Sequence, residues 1–389
     1  MAELSLGEGF RALGRDAFLR KLHDEAPLFR DPNGFWVASR FDDVRAILLD
    51  YERFSSSAMG NVSSATAQAG GLAFGFPLLT DDPPRHSVLR ALLAKAFTPA
   101  AMEAMRPYVE SLARELVAAI PAGEEIDAVA AITSPLPVRV IARMMGVPVE
   151  RAPDFRRWSN ALADIQSGQT PDRIAAVMEL RAYFVDEVEK RRAAPGDDLI
   201  TAMTRVSETS ETLSDSQIVA FCILLMAAGN ETTTNLLGNL LNRLARAPAG
   251  WTALRSDPSL IEGAIEESLR VDSPAQMVIR RATSDADVSG TRIAAGEMVM
   301  VYLASANRDP AKWGNPANFE LNRIRERHVA FGHGVHTCIG APLARLEAKA
   351  AMTALVARFA SLAPGAERGQ RLAGGGLLYG FRSLPVVFG

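Results

Sequence analysis

The fold of this chain is decided by the stretch Phe331-Gly332-His333-Gly334-Val335-His336-Thr337-Cys338-Ile339-Gly340. Three glycines within ten residues exclude a regular helix or strand here, because ordering glycine costs the most backbone entropy. A helix follows at Ala341-Pro342, since proline is tolerated in the first helical turn. Cys338 therefore lies just before a helix N-terminus, where free N–H groups and the helix dipole favour a thiolate. The sequence predicts a metal ligand or nucleophile at Cys338, and a buried, inert cysteine is the alternative.

This loop resembles the heme-binding loop of the cytochromes P450, whose pattern is Phe-x-x-Gly-x-His-x-Cys-x-Gly. Phe331, Gly334, His336, Cys338 and Gly340 match its five fixed positions. The resemblance implies that the Cys338 thiolate ligates the iron of heme b (iron protoporphyrin IX) and that the other four residues surround the cofactor.

A second motif of the same family precedes the loop. Glu267-Ser268-Leu269-Arg270 fits the Glu-x-x-Arg element, and its i,i+3 spacing puts both charges on one helix face, where they can hydrogen-bond each other. The resemblance implies that this pair supports the heme loop.

A set of cations resembles the family's clamp on the two heme carboxylates. His86 and Arg90 match the pattern His-x-x-x-Arg, and Arg280 lies on a predicted strand. Side chains alternate along a strand, so only one of Arg280 and Arg281 can point inward, and we expect Arg280. With His336 these cations would neutralise two carboxylates that are costly to bury unpaired.

A long helix carries the segment that resembles the oxygen-activating element of the family. The capping box Ser214-x-x-Gln217 opens a helix that we expect to reach about Arg246. Within it, Ala228-Gly229-Asn230-Glu231-Thr232-Thr233 resembles the pattern Ala-Gly-x-acid-Thr-Thr. Small Ala228 and Gly229 would let a flat macrocycle and O2 approach the backbone. Thr232 can hydrogen-bond the carbonyl four residues back, and Glu231 can relay protons, so these two are the predicted catalytic residues.

Composition and patterning predict a mainly α protein with small peripheral β-sheets and a long central helix. The chain has 389 residues, and the matched motifs span it without a linker, so we expect one cytochrome P450-like domain over residues 1–389. A hairpin is predicted at Leu28 to Val37, a second β region at Val288 to Tyr302 with its turn at Ala295-Gly296, and a third at Pro385 to Phe388. A net charge of −3 argues against nucleic-acid binding.

Targeting and membrane signals are weak. The N-terminus has no cationic stretch followed by an apolar run, and the longest apolar run, Ile218 to Gly229, is shorter than the ~20 residues a bilayer span needs. The presence of only two cysteines, Cys222 and Cys338, indicates a reducing compartment, so we expect a cytoplasmic protein. We also expect a monomer without a membrane anchor. Cys222 reads as a core residue.

The resemblance implies a heme-thiolate monooxygenase that activates O2 to hydroxylate a small to medium neutral hydrophobic substrate. The chain carries no flavin, nicotinamide or iron–sulfur fingerprint, so we expect electrons from a separate ferredoxin and its NAD(P)H-dependent reductase. A group of basic residues near the heme loop is a candidate docking surface for an acidic partner, and a solvated face is the alternative. They are Arg323, Arg325, Arg327, Arg345 and Lys349.

The substrate pocket follows from position in the family pattern. Its predicted lining is apolar and lightly aromatic, with Gln276 as one hydrogen-bonding group, and Ser55 to Gly71 is predicted to gate entry. The lining residues are Phe74, Phe76, Leu78, Leu79, Met226, Ala227, Gln276, Met277, Val278, Leu378 and Tyr379. A peroxide-driven peroxygenase and a non-catalytic heme-binding or sensor protein remain alternatives.

Overall fold

The computed structural model describes residues 6–57, 76–164, 170–205, 213–323, 326–372 and 376–389. Most of these residues are helical, as the sequence predicts. The helices are α1 (Leu6–Leu13), α2 (Arg15–Glu25), α3 (Phe41–Leu49), α4 (Arg85–Ala94), α5 (Pro99–Ala118), α6 (Pro135–Met144), α7 (Ala152–Asp164), α8 (Pro171–Ala193), α9 (Leu199–Arg205), α10 (Asp215–Arg246), α11 (Pro248–Ser256), α12 (Ile261–Val271), α13 (Leu303–Ala306) and α14 (Ala341–Arg358).

The strands are short and form small sheets. They are β1 (Leu28–Arg30), β2 (Trp36–Ala38), β3 (Phe54–Ser55), β4 (Glu125–Asp127), β5 (Val278–Ala282), β6 (Ala286–Val288), β7 (Thr291–Ile293), β8 (Met298–Val301), β9 (Leu362–Pro364), β10 (Gln370–Arg371), β11 (Phe381–Ser383) and β12 (Pro385–Phe388). One sheet has the order β1-β2-β8-β5-β3, in which only β2 and β8 run parallel. Another has the order β4-β12-β9, and β6-β7 and β10-β11 are separate pairs. The prediction of a mainly α fold with small sheets is confirmed.

Three helix starts follow directly from local sequence. The Thr98 side chain accepts a hydrogen bond from Ala101 N at 3.2 Å, and Thr170 caps α8 in the same way. The predicted capping box is present at Ser214, and α10 ends at Arg246 as expected. Each cap satisfies an N–H group that a helix end would otherwise leave without a partner.

The second predicted β region is more divided than the sequence suggested. We expected one turn at Ala295-Gly296, but β6 and β7 pair with each other, whereas β8 pairs with β2 and β5. Gly296, at φ +88°, lies in the connection from β7 to β8 rather than in a hairpin. Short strands of similar composition do not specify which sheet each joins, because pairing partners are chosen by tertiary packing.

Helix α10 runs through the main hydrophobic core and packs against α6, α7, α8, α12 and α14. Cys222 on α10 is fully buried, and this burial raises the pKa of its thiol, so the prediction of a core residue is confirmed. Among the described residues, no helix combines the length and apolarity needed to cross a bilayer. Helix α10 also packs against α14, the helix that begins just after Cys338.

Candidate active site

The Cys338 loop is held by its own backbone. Cys338 N donates to Phe331 O at 2.8 Å, and Thr337 donates to Gly334 O from both its amide and its hydroxyl. Gly334 adopts φ +72°, and a Cβ there would lie 2.6 Å from Leu48 O. Glycine is therefore required at 334 for two reasons: the left-handed backbone and the close approach of α3.

The Cys338 sulfur is set at the start of α14 as the sequence predicts, but its pKa is not what we expected. Burial raises the pKa of the thiol, and this outweighs the opposing effects of the backbone N–H groups of Gly340 and Ala341 and of Arg90. The side chain is nevertheless solvent-accessible, so the sulfur faces an opening within the protein mass. A cation bound at the sulfur would supply the missing stabilisation of the thiolate.

The Glu267–Arg270 pair is buried on α12. Arg270 Nε donates to Glu267 Oε2 at 2.8 Å and Nη2 donates to Oε1 at 2.7 Å, with both side chains 4% exposed or less. Arg323 Nε adds a third donor to Glu267 Oε1 at 3.0 Å. Burial alone would raise the pKa of Glu267, but the two arginines lower it overall. The carboxylate is thereby kept charged inside the protein.

Arg270 also fixes the irregular segment between β8 and the Cys338 loop. Its guanidinium donates to the carbonyl oxygens of Asn307, Pro316 and Asn318 at 2.9–3.0 Å. Asn307 Oδ1 in turn accepts from Val329 N at 2.7 Å, close to the start of the loop. The predicted supporting role of this pair thus has a direct physical path to the cysteine.

The cations predicted to hold two carboxylates come together from distant parts of the chain. The rings of His86 and His336 are 4.2 Å apart between centroids, and both His86 ring nitrogens are buried without a hydrogen-bond partner among the described residues. Burial, the charge of His336 and the charge of Arg90 lower the pKa of His86 to about 4. Arg280 is buried, whereas its neighbour Arg281 is partly exposed, in line with strand alternation. Within the described ranges, neither Arg90 nor Arg280 forms an ion pair.

The middle of α10 contains the segment that the sequence predicts to be the oxygen-activating element. Thr232 Oγ1 donates to Ala228 O at 2.7 Å, the predicted bond to the carbonyl four residues back. Ala228 is exposed in mid-helix, so it borders an opening. A Cβ at Gly229 would lie 2.7 Å from Ile141 Cδ1, so glycine at 229 allows α10 to pack on α6. This reason differs from the approach of a macrocycle that we expected there.

The comparisons with known proteins agree with one another. The family model described as Cytochrome P450 matches residues 169–378. The chain is 38% identical to the vitamin D(3) 25-hydroxylase of Pseudonocardia autotrophica over 330 residues, 84% of this chain and 81% of that protein. The chain belongs to the cytochrome P450 family.

Solved structures of this P450 family superpose closely. The structure of CYP109Q5 from Chondromyces apiculatus matches with a TM-score of 0.89 at 33% identity, covering 100% of this chain and 98% of that one. CYP109E1 from Bacillus megaterium, solved in complex with testosterone, matches with a TM-score of 0.83 at 34% identity, covering 95% and 98%. This P450 is therefore a monooxygenase of the bacterial type, with heme b as its cofactor and with O2 and electron-transfer partners.

The residues of this P450 fit heme b. A macrocycle with an iron centre and two carboxylates requires a thiol at an opening and unpaired cations. Cys338 faces an opening, and among the residues that the structure describes Arg90 and Arg280 have no ion pair and the two His86 ring nitrogens have no hydrogen-bond partner. Cys338 would hold the iron. His86, Arg90, Arg280 and His336 would hold the carboxylates.

The predicted substrate-pocket residues of this P450 occupy different settings. Met226 and Met277 are buried, Leu79 is 38% exposed, and Leu378 forms an isolated β-bridge with Ala275. The centre of the Tyr379 ring lies 4.2 Å from the guanidinium carbon of Arg15 and 4.2 Å from that of Arg371. Phe76, Leu78, Ala227 and Val278 are half-buried. Phe74 and most of the predicted gate, 58–71, lie outside the described residues.

Two acidic residues near the site were missed from the sequence. Asp82 lies between strand β3 and His336, and Glu347 on α14 is buried with both carboxylate oxygens lacking a hydrogen-bond partner among the described residues. Burial raises the pKa of Glu347 to about 8, with the Thr233 side chain acting in the opposite direction. A signal for Glu347 existed in the sequence, since a charged residue four positions after Leu343 falls on the apolar face of α14.

Proposed function

We propose that this P450 hydroxylates a neutral hydrophobic molecule of steroid size with O2 and electrons from a ferredoxin and its NAD(P)H-dependent reductase. The observation that carries the proposal is the Thr232–Ala228 hydrogen bond of 2.7 Å beside half-buried Glu231, in the helix segment that borders the opening. An acid and an alcohol at this position suit an enzyme that must deliver protons to reduced oxygen.

The chain's own groups have distinct tasks in this proposal. When heme is bound through Cys338, it supplies iron for O2 activation, and the electron-rich thiolate favours O–O cleavage. Thr232 Oγ1 donates its proton to Ala228 O, so its oxygen lone pairs can accept a hydrogen bond from water or from protonated oxygen. Glu231 lies next to Thr232 and relays protons from solvent toward the site.

Thr232→Ala is expected to retain heme and substrate binding while product formed per NADH consumed falls roughly tenfold, because the proton path loses the hydroxyl oxygen that accepts a hydrogen bond. The matched control is Thr252→Ala, since Thr252 Oγ1 donates to Pro248 O at 3.1 Å in the same i−4 manner on exposed α11. NADH consumption and product are measured together. Unchanged coupling in Thr232→Ala would remove Thr232 from the proton path.

The substrate class rests on the lining and on the relatives. The predicted lining carries no charged side chain, so a charged substrate would lose its hydration without a partner. Gln276 Nε2 donates to Ser273 O at 2.5 Å, which leaves its buried Oε1 without a partner among the described residues. That oxygen is our candidate acceptor for a substrate hydroxyl. One relative is named for vitamin D(3) hydroxylation and another was solved with testosterone, which supports a steroid-like molecule.

The test is a ligand screen followed by turnover. Sterols, secosteroids and macrocycles are added to the ferric protein, and ligands that convert the heme from low to high spin are taken to turnover with a surrogate ferredoxin and reductase. We expect a hydroxylated product with NADH and O2. Product with hydrogen peroxide alone would favour the peroxygenase, and spin-shifting ligands without any turnover would favour a heme-binding or sensor protein.

We propose a docking surface that differs in part from the basic set predicted from the sequence and shares Arg327 with it. Arg345 donates to both carboxylate oxygens of Glu266 at 2.7 and 2.9 Å, Lys349 pairs with Glu262 at 2.7 Å, and Arg323 binds Glu267. These charges are already neutralised, and Arg325 lies outside the described residues. A cleft of about 250 Å³ beside the cysteine loop supports a different docking site. It is lined by Phe41, Arg45, Lys312, Arg327, His328, Val329 and His333.

Arg327→Ala is expected to weaken binding of the acidic ferredoxin about fivefold at low ionic strength, roughly 1 kcal/mol, because it removes a cation of the cleft. Lys349→Ala is the matched control and is expected to change the affinity little, since Glu262 already balances Lys349. Titration of each variant with the reduced ferredoxin gives the two affinities. An equal loss in the two variants would argue against the cleft.

A further inference from the structure

Asp82 joins strand β3 to the start of helix α4. Its Oδ2 accepts a hydrogen bond from Ser55 Oγ at 2.5 Å, and its Oδ1 accepts from Ser56 N at 3.0 Å. Ser55 is the last residue of β3, and Asp82 lies three positions before Arg85, where α4 begins. One carboxylate therefore connects a strand to the helix that carries His86 and Arg90.

The same carboxylate faces His336. His336 Nε2 lies 3.0 Å from Ser56 Oγ and 3.8 Å from Asp82 Oδ1, so Ser56 and Asp82 together approach one ring nitrogen. The other face of the ring packs near His86, with 4.2 Å between the centroids. These contacts set where the His336 ring lies.

Asp82 also acts electrostatically on other groups of the site, as Asp81 does on His86. Its charge acts on His86 and on Arg280, which is buried without an ion pair among the described residues. Burial alone would raise the pKa of Asp82, but the nearby His336 ring and the hydrogen bonds from Ser55 Oγ and Ser56 N lower it to about 2. The carboxylate is thus ionised beside the His336 ring.

We infer that Asp82 is a positioning residue of the heme site, which ties β3 and α4 together and fixes His336 beside the heme carboxylates. This inference rests on the assignment of His336 to a heme carboxylate made above. It gives a function to an acidic residue that neither binds iron nor enters the proton path.

The test measures heme retention and reduction potential of the holoprotein. Heme transfer to excess apomyoglobin is expected to be about tenfold faster for Asp82→Ala than for the unchanged protein, because three contacts are lost together. Asp82→Asn is expected to stay close to the unchanged protein in transfer rate, since an amide can accept from Ser56 N and donate to Ser55 Oγ. Both variants are expected to shift the reduction potential of the heme positively, because a negative charge beside the proposed carboxylate-binding residues is removed.

Asp81→Ala is the matched control, since Asp81 pairs with Arg85 at 3.1 Å and accepts from Leu78 N instead of facing His336. An unchanged transfer rate in Asp82→Ala, or equal acceleration in Asp81→Ala, would overturn the inference. If Asp82→Ala does not fold, Ser55→Ala tests the same tie, because it removes the hydrogen bond from Ser55 Oγ to Asp82 Oδ2, and it is expected to release heme a few times faster. His336→Ala distinguishes failure of the His336 assignment from failure of the Asp82 proposal. An unchanged rate of heme release in His336→Ala would remove the assignment of His336 to a heme carboxylate. Faster heme release in His336→Ala with an unchanged rate in Asp82→Ala would overturn only the role of Asp82.

Discussion

Replacing Cys338 by serine is expected to abolish the thiolate signature in the spectrum of the reduced, carbon monoxide-bound protein and to lower hydroxylation at least about 100-fold. The loop geometry would survive, because the Cys338 amide bond to Phe331 O and the Gly334 turn do not depend on sulfur. The loss would therefore report on the sulfur alone. Heme binding is expected to weaken but not to vanish, since the carboxylate-binding cations remain.

Cys222→Ser is the matched control for this substitution. Cys222 is fully buried on α10, so a serine hydroxyl there would cost about 1–3 kcal/mol of stability if it found no partner. Its spectrum is expected to keep the thiolate signature. The result that would contradict the assignment is a thiolate signature retained in Cys338→Ser and lost in Cys222→Ser.

Replacing Arg270 by methionine is expected to lower the free energy of unfolding by about 3–5 kcal/mol, because it leaves the Glu267 carboxylate buried with part of its partners gone. Arg323 would still donate to Glu267, which places the loss below that of a wholly unpaired charge. The carbonyl oxygens of Asn307, Pro316 and Asn318 would lose their donor as well. Urea unfolding of the purified protein gives the change.

Arg106→Met is the matched control for Arg270→Met. Arg106 pairs with Glu103 at 2.8 Å with the same i,i+3 spacing, but both side chains are well exposed. Exposed pairs of this kind contribute little, so a change below about 0.5 kcal/mol is expected. The double variant Glu267→Gln with Arg270→Met is expected to recover part of the loss, because the uncompensated charge is removed. Equal losses at positions 270 and 106 would show that burial does not set the strength of the pair.

The sequence was informative wherever the determinant is local. Helix starts at Thr98 and Ser214 follow from capping groups within three residues, and the bond from Thr232 to Ala228 O follows from helical spacing. Strand alternation predicted that only one of Arg280 and Arg281 points inward, and the family resemblance singled out Arg280, which is buried. Motif spacing also identified the cysteine loop, because glycines at 332 and 334 report a backbone shape that other residues rarely adopt.

What the sequence could not provide depends on partners far along the chain. Arg345 and Lys349 looked like free surface charges, but their partners Glu266 and Glu262 lie on another helix, α12. Gly229 was explained by the cofactor, and the structure adds a second constraint, from Ile141 on α6. Such assignments require the packing of two helices, which no local pattern encodes.

The order of the strands in the three-stranded sheet β4-β12-β9 has a consequence for protein synthesis. Strand β12 lies between β4 and β9, with Val386 opposite Ile126 on one side and Pro364 on the other. The ribosome has therefore completed both outer strands, the cation-bearing helix α4 and the Cys338 loop before the strand that joins the outer two emerges. Until β12 emerges, the facing edges of β4 and β9 have no strand between them to pair with, so this sheet forms after its two outer strands have been synthesised.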